Sequence, residues 1–174
     1  QPGAGRLLAF TGAINGPTSD LYLYDTQTGE IKQLTSGSSQ SVSPIWSPDG
    51  QYILNYGVSW SSPSGGAINV ADQRDGVWAV RVSDGNLITL PMPKGDTPFF
   101  FAWQDNSHYI TYDNDYECFS TNLRSVDVIT GETKSIMDYS FMWTIAQSPE
   151  NGALLFSSVA GCASSLGEGT FLLL

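Results

Sequence analysis

Ser19 to Leu34 (SDLYLYDTQTGEIKQL) and Thr121 to Ile136 (TNLRSVDVITGETKSI) align without a gap. Asp25, Thr28, Gly29, Glu30 and Lys32 of the first stretch fall on Asp127, Thr130, Gly131, Glu132 and Lys134 of the second. A weaker copy, Gly76 to Leu90 (GVWAVRVSDGNLITL), puts Gly85 at the same turn position. Each copy is a strand, a turn ending in Gly and a second strand. Internal repetition of this kind restricts a chain to folds that stack one small unit many times.

A second hairpin repeats out of step with the first. Ser41 to Leu54 (SVSPIWSPDGQYIL) is an apolar segment ending at Trp46, a Ser47-Pro48-Asp49-Gly50 turn and another apolar segment. Pro presets φ at the first turn position, Asp bonds its own backbone and Gly accepts a positive φ. Phe99 to Tyr112 places Trp103 where Trp46 stood, and Met142 to Phe156 restores Ser148-Pro149 before Glu150-Asn151-Gly152. The strand after the turn begins near Arg6, Tyr52, Tyr109 and Leu154, at intervals of 46, 57 and 45 residues. On this alignment the single histidine, His108, falls on Gln51 at a solvated turn position.

Four short strands per unit at a period near 45 residues indicate an all-β protein, a β-propeller segment of four-stranded antiparallel blades. The strands are labelled a to d from the centre outward. The expected blades are strands b–d of blade 1 over residues 6–35, blade 2 over 41–91, blade 3 over 97–138 and strands a–c of blade 4 over 140–174. The expected strands number three, four, four and three, about three and a half blades. The segment Gly57 to Asp75 is rich in Ser and Gly and reads as a long b–c loop. The apolar end Phe171-Leu172-Leu173-Leu174 has no polar cap, which favours a piece of a larger ring. A small ring whose missing strands come from a second copy is the alternative.

The segments SPIWSPDGQYIL and DLYLYDTQTGEIKQLT resemble the TolB-type, WD-repeat-like β-propeller repeat. The resemblance spans nearly the whole chain. It is specific at Ser43–Gly50 and Leu21–Thr35, and degraded around Trp103 and Ser148. It implies the fold; it leaves function open, because such repeats serve many roles. TolB-like repeats are often extracytoplasmic, so a periplasmic or extracellular location is expected.

Charge limits the partners. Seven basic residues against seventeen acidic give a net charge of −10. Phosphate binding needs clustered Lys and Arg, so no nucleic-acid partner is expected. No apolar run is long enough for membrane insertion. Acidity and loop composition point to a protein or peptide partner, basic in character.

Catalytic signatures fail. Gly57-Val58-Ser59-Trp60-Ser61 and Gly161-Cys162-Ala163-Ser164-Ser165 both miss the last glycine of a GxSxG elbow, and a triad would have to use His108. The acidic run Asp113 to Glu117 lacks the Gly and Glu that a calcium loop carries at its sixth and twelfth positions. No metal or cofactor is expected, and the chain is read as non-catalytic. A sugar-binding or lyase propeller would call for metal-binding histidines beyond the one present.

The residues left for function lie on the b–c and d–a loops: Trp60, Asp72, Asp75, Asp96, Asp113, Asp115, Tyr116 and Glu117. Trp60 and Tyr116 are the aromatic anchors. Cys118 and Cys162 fall in b–c loops of adjacent blades, where a disulfide and two free thiols are both open. Trp46, Trp78, Trp103 and Trp143 read as core. Pro48, Asp49, Gly50, Asp25, Gly29, Asp127 and Gly131 read as structural turn residues. Against the binding module stands another class: similar propellers form the N-terminal, substrate-gating part of prolyl-oligopeptidase-like and dipeptidyl-peptidase-like serine hydrolases, whose catalytic domain would lie beyond Leu174.

Overall fold

Alternating apolar residues broken by Gly, Pro and Asp turns leave short strands as the only regular structure this chain can sustain. In a computed structural model the described residues are 1–2, 5–37, 40–58, 74–91, 100–114, 121–138, 141–148, 153–159 and 169–173, and they form fourteen strands and no helix. The chain divides into two units, Gln1–Pro91 and Met92–Leu174.

The first unit holds two sheets. One is β1 (Leu7–Gly12), β2 (Asp20–Asp25) and β3 (Ile31–Gln33). The other is β4 (Gln40–Trp46), β5 (Tyr52–Val58), β6 (Arg74–Arg81) and β7 (Leu87–Leu90). The second unit holds β8 (Phe100–Trp103), β9 (His108–Asn114), β10 (Thr121–Asp127) and β11 (Thr133–Asp138) in one sheet. Its other sheet is β12 (Phe141–Gln147), β13 (Leu154–Val159) and β14 (Gly169–Leu173). Every strand pairs antiparallel with its neighbour in sequence, so each sheet is a meander of the kind that makes a propeller blade. The fold is all-β, as the repeat requires.

Within the first unit the two sheets share a core. Leu21 and Leu23 of β2 pack with Ile53 of β5 and Val80 of β6, and Leu7, Ala9, Leu34, Trp46 and Val82 close around them. Trp46 therefore does pack as core between two blades. In the second unit Trp103 is buried and meets Tyr109 edge to face, with centroids 6.5 Å apart. Trp78 and Trp143 lie on β6 and β12.

Three features depart from the sequence expectation. First, the innermost strand of each of three blades carries a bulge: between Val42 and Ile45, between Phe100 and Ala102, and between Met142 and Thr144. In β4 the bulge holds Ser43 at φ 52 beside Pro44, which has no N–H to give the ladder. Second, the b–c connection of blade 2 is shorter than expected. The ladder continues through Gly57↔Gly76 and Val58↔Arg74, so Asp75 sits at a register shift inside β6 and not in a loop. Asp113 likewise lies on β9, opposite Asn122. Third, the a–b turn of blade 3 is one residue shorter than that of blade 2. Gln104 N–H donates to His108 O at 2.8 Å where Ser47 N–H donates to Tyr52 O at 2.9 Å. His108, not Tyr109, therefore stands at the place of Tyr52.

Candidate functional site

Turn chemistry explains most of the recognisable residues. Asp25 ends β2, and its Oδ1 accepts the amides of Gln27 and Thr28 at 2.9 and 3.2 Å. Asp127 ends β10, and its Oδ1 accepts those of Ile129 and Thr130 at 2.7 and 2.8 Å. In both turns the glycine amide returns to the aspartate carbonyl, with φ 75 at Gly29 and 73 at Gly131. Blade 2 keeps the turn but moves the acid. Arg81 holds the strand-end position, and Asp84, three residues on, accepts the Asn86 amide and pairs with Arg81 at 3.0 Å. In the a–b turn Asp49 Oδ1 accepts Gln51 N–H at 3.0 Å and Ser47 Oγ–H at 2.7 Å, and Gly50 takes φ 71.

The carboxyls of Asp25, Asp84, Asp127 and Asp105 are held in the charged form. The Arg6 hydrogen bond, reinforced by the Gln27 and Thr28 amides, keeps Asp25 well below the usual carboxylate range. The Asn86 amide does this first for Asp84, and the Thr130 amide for Asp127. At Asp105 burial acts upward, but the Ser107 amide and the His108 ring and amide outweigh it. The group still ends below its ordinary value.

The arrangement with the most chemical content was not singled out by the sequence. A groove of about 660 Å³ opens on the blade 3 sheet, lined among others by Asp105, His108, Ser125, Asp127 and Glu132. His108 Nδ1 lies 3.0 Å from both oxygens of Asp105, and Nε2 lies 3.5 Å from Asp127 Oδ2. Ser107 Oγ is 3.1 Å from Nδ1 and 3.2 Å from Asp105 Oδ1. Ser, His and Asp thus meet, but not as a triad. Nucleophile and orienting carboxylate share one ring nitrogen, so the ring cannot relay a proton between them. The signal that could have found this groove was the strand register, which pairs His108 with Asp127.

Among the described residues no group of three or more His, Cys, Asp and Glu is placed to hold a metal ion. Trp60, Asp72, Asp96, Asp115, Tyr116, Glu117, Cys118 and Cys162 lie outside the described residues. Pro48 and Asp49 are exposed on the a–b turn.

Antiparallel three- and four-stranded sheets in sequence order and repeated Asp-Gly turns define a partial β-propeller fold, and comparison with solved structures agrees. The chain is similar to TolB from Acinetobacter baumannii, with 16% identity, a TM-score of 0.52 and coverage of 98% of this chain and 38% of that one. It is also similar to the β-propeller domain of the Trilobed protease from Pyrococcus furiosus, with 12% identity, a TM-score of 0.64 and coverage of 98% and 51%. Among curated proteins, a stretch of 50 residues is 42% identical to the uncharacterized peptidase YuxL of Bacillus subtilis, covering 29% of this chain and 8% of that protein. The chain thus spans about half or less of the proteins it resembles. No family model matches it.

Proposed function

We propose that this chain is a non-catalytic propeller module that binds a protein or peptide partner. The observation that carries the reading is the engagement of its only histidine. His108 faces a carboxylate at each ring nitrogen, and the nearest hydroxyl shares one of them. A net charge of −10 directs such a module to a basic partner and away from nucleic acid. The binding surface is the b–c and d–a loop face, anchored by Trp60 and Tyr116. Remaining blades come from adjoining sequence or a second copy. The likeness to TolB fits a periplasmic or extracellular setting.

The test is a partner screen with basic peptides, followed by Trp60→Ala and Tyr116→Ala. Each variant should weaken binding at least tenfold while leaving the thermal midpoint unchanged. Retained affinity in both would refute the loop face as the site.

The stretch matching a peptidase and the likeness to a protease propeller support a second reading, in which the module gates substrate for a serine hydrolase domain. The gene downstream of Leu174 decides this. A GxSxG elbow followed by Asp and His supports it, and an open reading frame without them refutes it.

A further inference from the structure

Four steps in which Asn or Asp precedes Gly fall on described residues: Asn15-Gly16, Asp49-Gly50, Asp75-Gly76 and Asp84-Gly85. Three are tied into the scaffold. Gly50 N–H donates to Ser47 O at 2.9 Å and Gly85 N–H to Arg81 O at 2.8 Å, and the two glycines take φ 71 and 76. Asp75-Gly76 lies in the ladder, with Gly76 opposite Gly57. At these steps a turn or a strand pairing holds the glycine in place.

Asn15-Gly16 is held far less. It lies on the connection between β1 and β2, and both residues are exposed. Gly16 does not take a positive φ, and a Cβ added there would meet nothing within 4 Å. Its N–H has no partner among the described residues. The Asn15 side chain has one restraint, an exposed bond from Nδ2–H to Gln33 Oε1 at 2.8 Å. A backbone nitrogen free of a hydrogen bond can lose its proton and turn onto the side-chain carbonyl before it. A glycine makes that turn with least steric hindrance.

We infer that Asn15-Gly16 is a self-modifying site, at which Asn15 sheds its amide nitrogen and becomes isoaspartate or aspartate. The Gly16 nitrogen attacks Asn15 Cγ. The new N–Cγ bond forms, the Cγ–Nδ2 bond breaks, and Nδ2 leaves as ammonia with the proton that Gly16 gave up. A cyclic imide then joins the two residues, and water opens it. Opening at Cγ gives aspartate; opening at the backbone carbonyl gives isoaspartate. No oxidant or reductant is required. The Asp-Gly steps do not share this chemistry, because an ionised carboxylate carries no amine to expel. Asn106 has a small neighbour too, but the Ser107 amide is given to Asp105 Oδ1 at 2.8 Å. The product at residue 15 takes the donor away from Gln33 Oε1 and makes the chain one charge more negative than −10.

The test is peptide mapping of the purified 174-residue chain, held in neutral or mildly alkaline buffer and then cut with trypsin. The fragment Leu7 to Lys32 contains Asn15 as its single asparagine. It should gain the mass difference between a hydroxyl and an amino group, appear as both isoaspartate and aspartate, and do so faster in the alkaline buffer. Asn106, assigned by tandem mass spectrometry, should lag several-fold behind. Gly16→Ala, whose new methyl meets open space, should slow the change at Asn15 about tenfold and leave the thermal midpoint unchanged. An unmodified Leu7 to Lys32 fragment would overturn the inference. So would aspartate as the sole product, since isoaspartate forms only through the imide. Asn106 keeping pace with Asn15, or a folded Gly16→Ala chain reacting as fast as wild type, would overturn it as well.

Discussion

Ser47 is the residue on which the a–b hairpin of blade 2 depends, although Pro48, Asp49 and Gly50 are the ones the motif advertises. Its side chain is fully buried. Its Oγ donates to Asp49 Oδ1 at 2.7 Å and accepts the Tyr52 amide at 2.9 Å. Ser47→Ala removes both bonds and leaves a part-buried Tyr52 N–H without an acceptor. An orphaned donor of that kind costs about 1–3 kcal/mol, and loss of a capping hydroxyl costs about 1 kcal/mol in the comparable helix setting. An expectation near 2 kcal/mol corresponds to a midpoint drop of roughly 4–8 °C for a chain of this size. Pro48 is exposed and gives no N–H, so Pro48→Ala should cost below about 1 kcal/mol, acting through the unfolded chain. Thermal denaturation followed by circular dichroism measures both variants. Native-state hydrogen exchange localises the effect, since the Tyr52 amide should lose protection in Ser47→Ala alone. A midpoint loss no greater than that of Pro48→Ala, or unchanged Tyr52 exchange, would refute the reasoning.

Three further outcomes follow from the structure. Asp25, Asp84 and Asp127 have folded pKa values below their unfolded ones, so acid protons bind the unfolded chain first. Their contribution is complete above about pH 5 and is lost as pH falls below about 4; a thermal midpoint that does not fall between pH 5 and pH 3 would contradict this. Leu23→Ala empties a buried position in the core shared by two blades and should cost about 2–5 kcal/mol, whereas Leu87→Ala, on a side chain 46% exposed, should stay within about 0.5 kcal/mol; equal losses in denaturant titrations would show that the shared core is misplaced. Millimolar calcium should leave the midpoint unmoved, because Asp113 is a ladder residue opposite Asn122 and the run after it lacks the loop glycine; a calcium-dependent rise would reverse that.

The blades were legible because their turns are written in residues with few alternatives. Asp25-x-x-x-Gly29 and Asp127-x-x-x-Gly131 close by the same side-chain-to-backbone bonds, with the glycine at positive φ each time. The bulges in the inner strands were not legible, since an extra residue in a strand leaves no fixed residue type behind. Nor was the end of the b–c loop of blade 2. Gly57 looks like a loop glycine in sequence, yet it pairs with Gly76 across the ladder. The role of Ser47 was hidden because serine is ordinary before a turn and its value comes only from full burial.

The groove was hidden by a slip of one residue. Counting a six-residue turn from Trp103 lays Tyr109 on Tyr52 and His108 on Gln51. Asp105 instead closes a shorter turn, accepting the amides of Ser107 and His108 at 2.8 and 2.7 Å. A shift of one residue moves every side chain of a strand to its other face. It sends Tyr109 into the core, where burial raises its phenol pKa, and brings His108 opposite Asp127 at the strand end. Blade 1 uses that strand end for an internal Arg–Asp pair, blade 2 reverses the polarity with Arg81, and blade 3 sets Asp127 against the His108 ring. The hairpin that departs furthest from SPDG is thus the one that sets a histidine ring, where blade 1 has Leu7, between the carboxylates of Asp105 and Asp127.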